Sequence, residues 1–593
     1  MISEPLEAIL ASIPLPLAAA GLAGLDPASW RPMALARTVG IVLAWTQVGA
    51  MALLATGTLT AWTIMAWWAL GGVAWAGTRA LWASRALPWR RELPDHAGAL
   101  LGWGLVVLLA AGLLAMAAVP PWYRDEMVYH LALPQQFAAA HGYVRPDDNI
   151  FASFPLGWES IVAASMSAGL HNPRALGVWV TLADALAIAG IASRLGATPA
   201  GRATAAASFL LIPTVCEFGA SAYVEPWLLL VTLLGLDAAL AARVADARPS
   251  VGVEAGVWAG FAASAKYPGL VIALGLLAVL PSPRSRLRAL APLVVFGSPF
   301  YLRNLVQRGN PVFPLGWDLF GGEGWDTVRA WAYHETLSHY GSGRTPGDLA
   351  LLIPRLFTTR DMHGTFQGSV GPVLLLGILG LRRHRALVAA ALGWTLWWAL
   401  TVEQVRFWLP AGALLAVGVG LLATGLARSA SVLLLGVLWA WGPVSDLWRF
   451  QLTGDWWTGA VTREQLQDHL LPESARVYRE LPDLVPPDGR VWLVWMRAYS
   501  WDFPRDYRLD CVFEGWRLER ALDADAVPTD VTHLLVNERF FLHGTSADWT
   551  DTDRLAAGRT ARLAERWRAW IAEGRIIEVK RWGQVVLYRT VNG

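Results

Sequence analysis

Residues 97–134 read AGALLGWGLVVLLAAGLLAMAAVPPWYRDEMVYHLALP, and the two halves of this stretch say different things. The first half, 97–118, is uncharged and apolar throughout. It is long enough to cross a bilayer core, for which about 20 such residues are needed. The second half turns polar at once: Tyr123, Arg124, Asp125, Glu126, Tyr129 and His130 follow directly on the span, with Pro134 beyond. Ionisable groups are expensive at membrane depth, so a cluster at the mouth of a span is where function is sought first.

The rest of the chain agrees with a membrane setting. Apolar residues make up 55% of the 593 positions and charged residues 16%, where a soluble domain carries roughly 25% charge. The mean hydropathy is +0.39. These values exclude a soluble enzyme, a disordered tail protein and a collagen-like fibre. A balance of 48 basic against 46 acidic residues leaves no footprint for nucleic acid. Two cysteines cannot build a disulfide scaffold or a four-cysteine zinc site. Cys216 and Cys511 would meet only if the C-terminal part folded back over the loop near 217, and no such pairing is expected. Tryptophan is abundant, at 34 residues, as befits a chain with many membrane–water boundaries.

Spans are predicted at 38–56, 59–80, 97–118, 174–193, 203–217, 225–242, 287–301, 369–381, 386–401, 407–426 and 430–446. The stretch 252–281 reads as two short helices meeting at Lys266, before Tyr267-Pro268-Gly269. Residues 7–24 are apolar but rich in proline and glycine, and Glu4 and Glu7 stand where a cleavable signal would be basic. Short loops bearing Arg79, Arg85, Arg90 and Arg91, then Arg194 and Arg202, Arg243 and Arg248, Arg284 to Arg288, and Arg382 to Arg385 are assigned to the cytoplasm. The loops 119–173, 217–225, 302–368 and 402–406, and everything after 447, then fall outside. The alternation closes if 155–170 is an interfacial helix rather than a span. From about 450 the charges return, and short alternating runs appear at Arg490–Trp495, His533–Val536 and Val585–Tyr588, with a helix-like stretch over 553–573. The fold class is therefore an α-helical polytopic membrane protein of about 11–13 transmembrane helices with a small C-terminal extramembrane α/β domain. Residues 1–94 are additional N-terminal spans, 95–449 the core with outer loops 119–173 and 302–368, and 450–593 the outer domain.

The outer face collects the informative charges. Asp125 and Glu126 with His130 and Tyr129 could deprotonate a hydroxyl or hold a metal or phosphate, although acids also simply favour helix starts. Asp147, Asp148 and Asn149 follow in the same loop, and Glu159 closes the run Phe154-Pro155-Leu156-Gly157-Trp158-Glu159. Glu225 precedes Pro226 at the start of a span, where an N-terminal acid is again ordinary capping chemistry. Lys266 is one of only two lysines, the other being Lys580. A snorkelling role would be served by arginine, whereas a lysine at a hairpin tip suits a phosphate as a point charge. Arg303 and Asn304, then Gly309-Asn310-Pro311, lie outside against the positive-inside bias, as does Arg406. Asp184 and Asp237 lie inside spans and are expected to make interhelical hydrogen bonds.

This order of features resembles the GT-C superfamily of polytopic membrane glycosyltransferases, which includes protein O-mannosyltransferases and aminoarabinose transferases. The resemblance spans roughly 95–450. It rests on the Asp-Glu-x-x-Tyr-His-Leu-x-x-Pro run from Asp125 to Pro134, on Phe154 to Glu159, on Lys266-Tyr267, on Arg303-Asn304 with Gly309-Asn310-Pro311, and on Arg406-Phe407 before Pro410. It implies an inverting transferase that takes a sugar from a polyprenyl-phosphate donor to an acceptor hydroxyl or glycan on the outer side. It implies Asp125 as general base, Glu126 positioning donor or acceptor, and Lys266 with Arg303 or Arg406 on the leaving lipid phosphate. Tyr129, His130, Glu159, Glu225, Asn304 and Asn310 fall among the substrate-binding positions. Glu225 stands where many relatives have Asp, which leaves its role and any divalent metal open. No cofactor is otherwise implied. The partners are the donor lipid, membrane lipid and an acceptor of unknown identity, in a bacterial inner membrane with the site facing the periplasm. A transporter or flippase of a lipid-linked or anionic solute is the alternative, but it builds sites at the midplane from inverted repeats, and no repeat is visible here. A scaffold protein would leave the converging charges without a purpose, and a lipid-linked glycan polymerase or ligase would share the chemistry with another acceptor.

Overall fold

The computed structural model describes residues 32–82, 96–144, 149–170, 172–244, 248–338, 340–472, 474–496, 501–510, 516–538 and 551–591. The apolar stretches become helices: α1 Pro32–Ala55, α2 Ala61–Trp82, α3 His96–Ala117, α4 Ala132–Ala140, α5 Gly157–Ser167, α6 Arg174–Arg194, α7 Pro199–Leu210, α8 Pro213–Gly219, α9 Glu225–Ala241, α10 Ser250–Ala265, α11 Pro268–Val279, α12 Pro283–Gly297 and α13 Pro299–Arg308. Then come α14 Thr327–Ser338, α15 Pro346–Thr358, α16 Leu376–Leu381, α17 Arg385–Leu400, α18 Val405–Leu422 and α19 Leu426–Phe450.

Five described helices are long and apolar enough to cross a membrane: α1, α3, α6, α18 and α19, with the α12–α13 pair, bent by 52°, as a sixth. Helix α2 runs unbroken for 22 residues where 59–80 is expected, and the remaining expected spans are shorter or broken. The break at Lys266 is where the sequence places it. The break in 203–217 was not expected: Ile212 is extended (φ −69°, ψ 117°) ahead of Pro213, because proline disfavours helical geometry in the residue before it. Residues 7–24, Arg85, Arg90, Arg91, Asp147, Asp148 and Cys511, named above from the sequence, lie outside the described residues.

Helix α6 is the axis of the bundle. It is buried along most of its length and packs against α1, α7, α9 and α18. Small residues bring other helices together: a Cβ on Gly418 of α18 would lie 2.1 Å from the Gly377 carbonyl of α16, the close approach that membrane bundles favour. Outward faces of α3, α12 and α19 expose Val107, Leu108, Val294, Val295, Leu434 and Leu438, the apolar surface a lipid environment requires. Asp237 accepts ion pairs from Arg37 (2.9 Å) and Arg194, the interhelical role expected of it. Asp184 departs from that expectation: it is buried, and neither carboxylate oxygen has a hydrogen-bond partner among the described residues.

The C-terminal domain is a five-stranded mixed sheet of order β2-β1-β3-β5-β4, with β1 Arg490–Val494, β2 Asp506–Asp510, β3 His533–Asn537, β4 Ile576–Trp582 and β5 Val585–Thr590. Strand β1 shows the two-residue alternation directly. Trp492 and Val494 pack with Leu518, Leu563, Trp567 and Trp570 on one face. Val491 and Leu493 face a second core that includes Ile150, Phe313 and Trp325 from the outer loops. The domain therefore shares a hydrophobic core with the loops above the bundle.

Candidate functional site

The polar run after α3 begins where Pro120-Pro121 ends the span. Residues Glu126–His130 form one π-helical turn, closed by Leu131 N–H donating to the Glu126 carbonyl at 2.8 Å; such turns recur at functional sites. The wide turn sends neighbouring side chains to different places. Asp125 points to a partly open space, its side chain 25% exposed, while Glu126 and His130 are buried.

Asp125 meets the cations from the far end of the chain. Arg406, one residue into α18, places Nη1 3.0 Å from Asp125 Oδ2 and Nε 3.9 Å from Glu225 Oε1. Lys266, in the break between α10 and α11, places Nζ 2.7 Å from the same Glu225 oxygen. Two carboxylates and two cations thus form one neutral cluster. Gln404 Oε1 accepts from Arg406 Nε and Nη2 at 3.3 and 3.2 Å, and Gln404 itself donates to Gln367. Aromatic rings line the cations: Lys266 Nζ lies 4.5 Å from the Phe407 ring centre, and Arg406 lies 4.8 Å from Phe407, 5.1 Å from Tyr223 and 5.6 Å from Phe218. Burial pushes the Asp125 carboxyl up, but Arg406, Arg124 and Lys266 together bring it below the usual carboxylate range. Burial lowers Lys266, against the pull of Glu225.

Beneath this cluster lies a second, closed pair. His130 Nδ1 is 2.6 Å from Glu159 Oε1, both side chains almost fully buried. His130 stands against the rings of Tyr129 (4.0 Å) and Tyr223 (4.9 Å), and Tyr129 stacks on Phe151 at 4.4 Å. Burial drives His130 well below the ordinary histidine value and pushes Glu159 up to about 8. The pair is neutral near pH 7, since neither charged form is solvated. His130 Nε2 and Glu159 Oε2 have no hydrogen-bond partner among the described residues.

Glu126 takes a different place from its neighbour. Its Oε1 accepts from Ala222 N–H at 2.6 Å and lies 3.3 Å from Arg174 Nε. Arg174, fully buried, also donates to the carbonyls of Val119 and Pro120. One acid and one arginine therefore join the end of α3, the π turn and the loop that carries Tyr223 and Glu225. That loop is held from below too: Trp158 Nε1 donates to Ala222 O at 2.6 Å, and a Cβ on Gly177 would lie 2.2 Å from Ser221 O. Burial, chiefly, raises the Glu126 carboxyl above its ordinary value.

Three of the expected site residues serve backbone instead. Arg303 Nη2 donates to the carbonyls of Ala152 and Phe154 (2.8 and 3.1 Å), and Asn304 donates to Ser153 O. Asn310 bonds Leu315 O and Gly321 O, both at 3.0 Å, and accepts from Val312 N–H. Of the two arginines considered for a phosphate, Arg406 is the one beside the carboxylates. Helix α5, expected along the interface, is an interior element: Gly157 through Ala164 are all buried. Sequence reasoning passed over Arg174 and Gln404. Arg174 carried the same signal as Arg303, an arginine near the end of an apolar stretch. The C-terminal domain reaches the site as well, with Trp501 N–H donating to Met127 O at 3.1 Å and Asp502 N–H to Gln135 Oε1 at 3.2 Å.

A divalent metal does not fit these residues. Asp125 and Glu225 are each paired with a cation, and no three His, Cys, Asp or Glu side chains converge among the described residues.

No family model matches the chain, and no curated protein does either. Among solved structures it is similar to ArnT from Cupriavidus metallidurans bound to undecaprenyl phosphate, at 15% identity, over 82% of this chain and 98% of that one, with a TM-score of 0.48. It is similar also to ArnT from the same organism in the apo state, at 13% identity, over 83% and 99%, with a TM-score of 0.46.

Proposed function

We propose that this protein is an integral membrane glycosyltransferase that moves a sugar, with inversion, from a polyprenyl-phosphate donor to an acceptor hydroxyl on the outer face of a bacterial inner membrane. The observation that carries the reading is the Asp125–Arg406–Glu225–Lys266 cluster at the mouth of the bundle. Its chemistry suits this transfer. Asp125 is the most open member and is ionised, so it can accept a proton from a hydroxyl within hydrogen-bond reach. The departing group is a phosphate, which needs cations rather than a protonating acid, and Lys266 and Arg406 supply them. Both cations sit at ends of apolar helices, where a lipid chain lying in the bilayer would present its phosphate. Glu225 holds Lys266, and the buried Glu126–Arg174 joint keeps the two acidic loops in register. Tyr129, His130 and Glu159 act from beneath the cluster rather than by touching sugar, and Arg303, Asn304 and Asn310 support the wall around it.

The experiment is reconstitution in liposomes with a short polyprenyl-phosphate sugar. Release of polyprenyl phosphate with sugar on an added acceptor extract supports the reading. Uptake of a solute with the donor left intact would replace it with a transporter.

A further inference from the structure

The cluster that would bind the phosphate is already neutralised by its own carboxylates. Arg406 Nη1 already spends one of its two N–H bonds on Asp125, and Lys266 Nζ spends one of its three on Glu225 at 2.7 Å, so a phosphate competes with both carboxylates for the charge of the two cations. The arginine is built to change partner. Nε and Nη2 both bond the one Gln404 oxygen, itself held through Gln367, and Phe407 and Tyr223 line the guanidinium, so the rigid group can pivot about that oxygen and carry Nη1 off Asp125. Phe407 lies against both Lys266 and Arg406, which keeps the two cations together for one anion. Asp125 also faces Arg124, Lys266 and the phenols of Tyr129, Tyr223 and Tyr333, the last on α14.

Resting on the function proposed above, we infer that Arg406 latches Asp125 in the empty site and that the donor's phosphate releases it, so that the base is armed only with donor bound and the donor binds before the acceptor. The phosphate draws Arg406 and Lys266 onto its oxygens. Asp125 loses its ion pair and gains an anionic neighbour, and both changes make it more basic. The acceptor O–H then gives its proton to Asp125 Oδ. The acceptor oxygen bonds the anomeric carbon as the bond from that carbon to the phosphate oxygen breaks, its electron pair staying on the phosphate. The new negative charge on polyprenyl phosphate falls between Lys266 and Arg406. The latch keeps a free base from activating a stray hydroxyl or water before a donor is present.

The test uses the full chain in detergent and a geranylgeranyl methyl phosphate diester, whose single charge does not titrate in the range used. Calorimetric titration in buffers of different ionisation enthalpy at about pH 5 reads protons taken up on binding. The wild type is expected to take up as much as about one proton per lipid, with affinity rising up to about tenfold per unit fall in pH. Asp125→Asn should bind without uptake. Arg406→Gln, which has no latch to open, should show weaker binding and a smaller uptake, and it serves if the first variant does not fold. Binding with no uptake, or with undiminished uptake in both variants, would overturn the latch and leave the proposed function standing. Absence of any diester binding by the folded wild type would remove both.

Discussion

The buried His130–Glu159 pair makes a prediction whose size follows from its surroundings. Burial holds the Glu159 carboxyl at about 8 against an ordinary value of 4.5. Between those two values the folded chain keeps a proton that the unfolded chain has released, so stability falls as pH rises through the window. His130 works in the opposite sense, but below its ordinary value of 6.5, where unfolding lets it take up a proton. From pH 6.5 to 8, therefore, Glu159 acts alone of the two. One pKa unit is worth 1.36 kcal/mol, so across this window the carboxyl costs about 2 kcal/mol. Glu159→Gln keeps the shape and an amide that bonds His130 Nδ1, with nothing to ionise. The variant should gain about 2 kcal/mol on the wild type between pH 6.5 and 8, and the gap should be flat above that. Tryptophan fluorescence during denaturant unfolding in micelles, at four pH values, measures it. A gap that stays constant across the window, or that closes as pH rises, would refute the assignment of a protonated buried acid.

Arg174→Met should destabilise the fold by about 3–5 kcal/mol, because it takes the cation away from the buried Glu126 carboxyl. Arg174→Met with Glu126→Gln should recover most of that loss in the same unfolding assay, since the amide oxygen still accepts from Ala222 N–H. Gly418→Leu should wedge α18 from α16, at a cost of about 1–3 kcal/mol or more, read as a lower folded yield on size-exclusion chromatography.

The helical, membrane-embedded class of the fold was legible because long apolar stretches are a property of the chain itself. Lys266 before Pro268 marked a break and was one. Strands β1, β3 and β5 were legible by alternation. Strands β2 and β4 were not, for they are the two edges of the sheet, and edges tolerate the charges seen in Asp506–Asp510 and Glu578–Arg581. The convergence of Asp125, Glu225, Lys266 and Arg406 could be inferred from sidedness. Which acid of the Asp125-Glu126 tandem faces the open space could not, because a π turn changes the direction of successive side chains. Arg303 and Arg406 looked alike in sequence, each near the end of an apolar stretch, and only the packing shows one spent on carbonyls and the other on a carboxylate. The core that the C-terminal domain shares with the loops of the bundle was hidden as well, since the residues of that domain packed with Ile150 and Phe313 lie more than a hundred positions further along the chain.

The central claim is that Asp125 is the base for transfer of a sugar from a phosphate lipid. The measurement that tests it most directly is donor turnover by Asp125→Asn in liposomes, alongside its thermal stability and diester binding. The variant should fold, still bind the diester and lose sugar transfer by at least about a hundredfold. Wild-type transfer by the folded variant would contradict it.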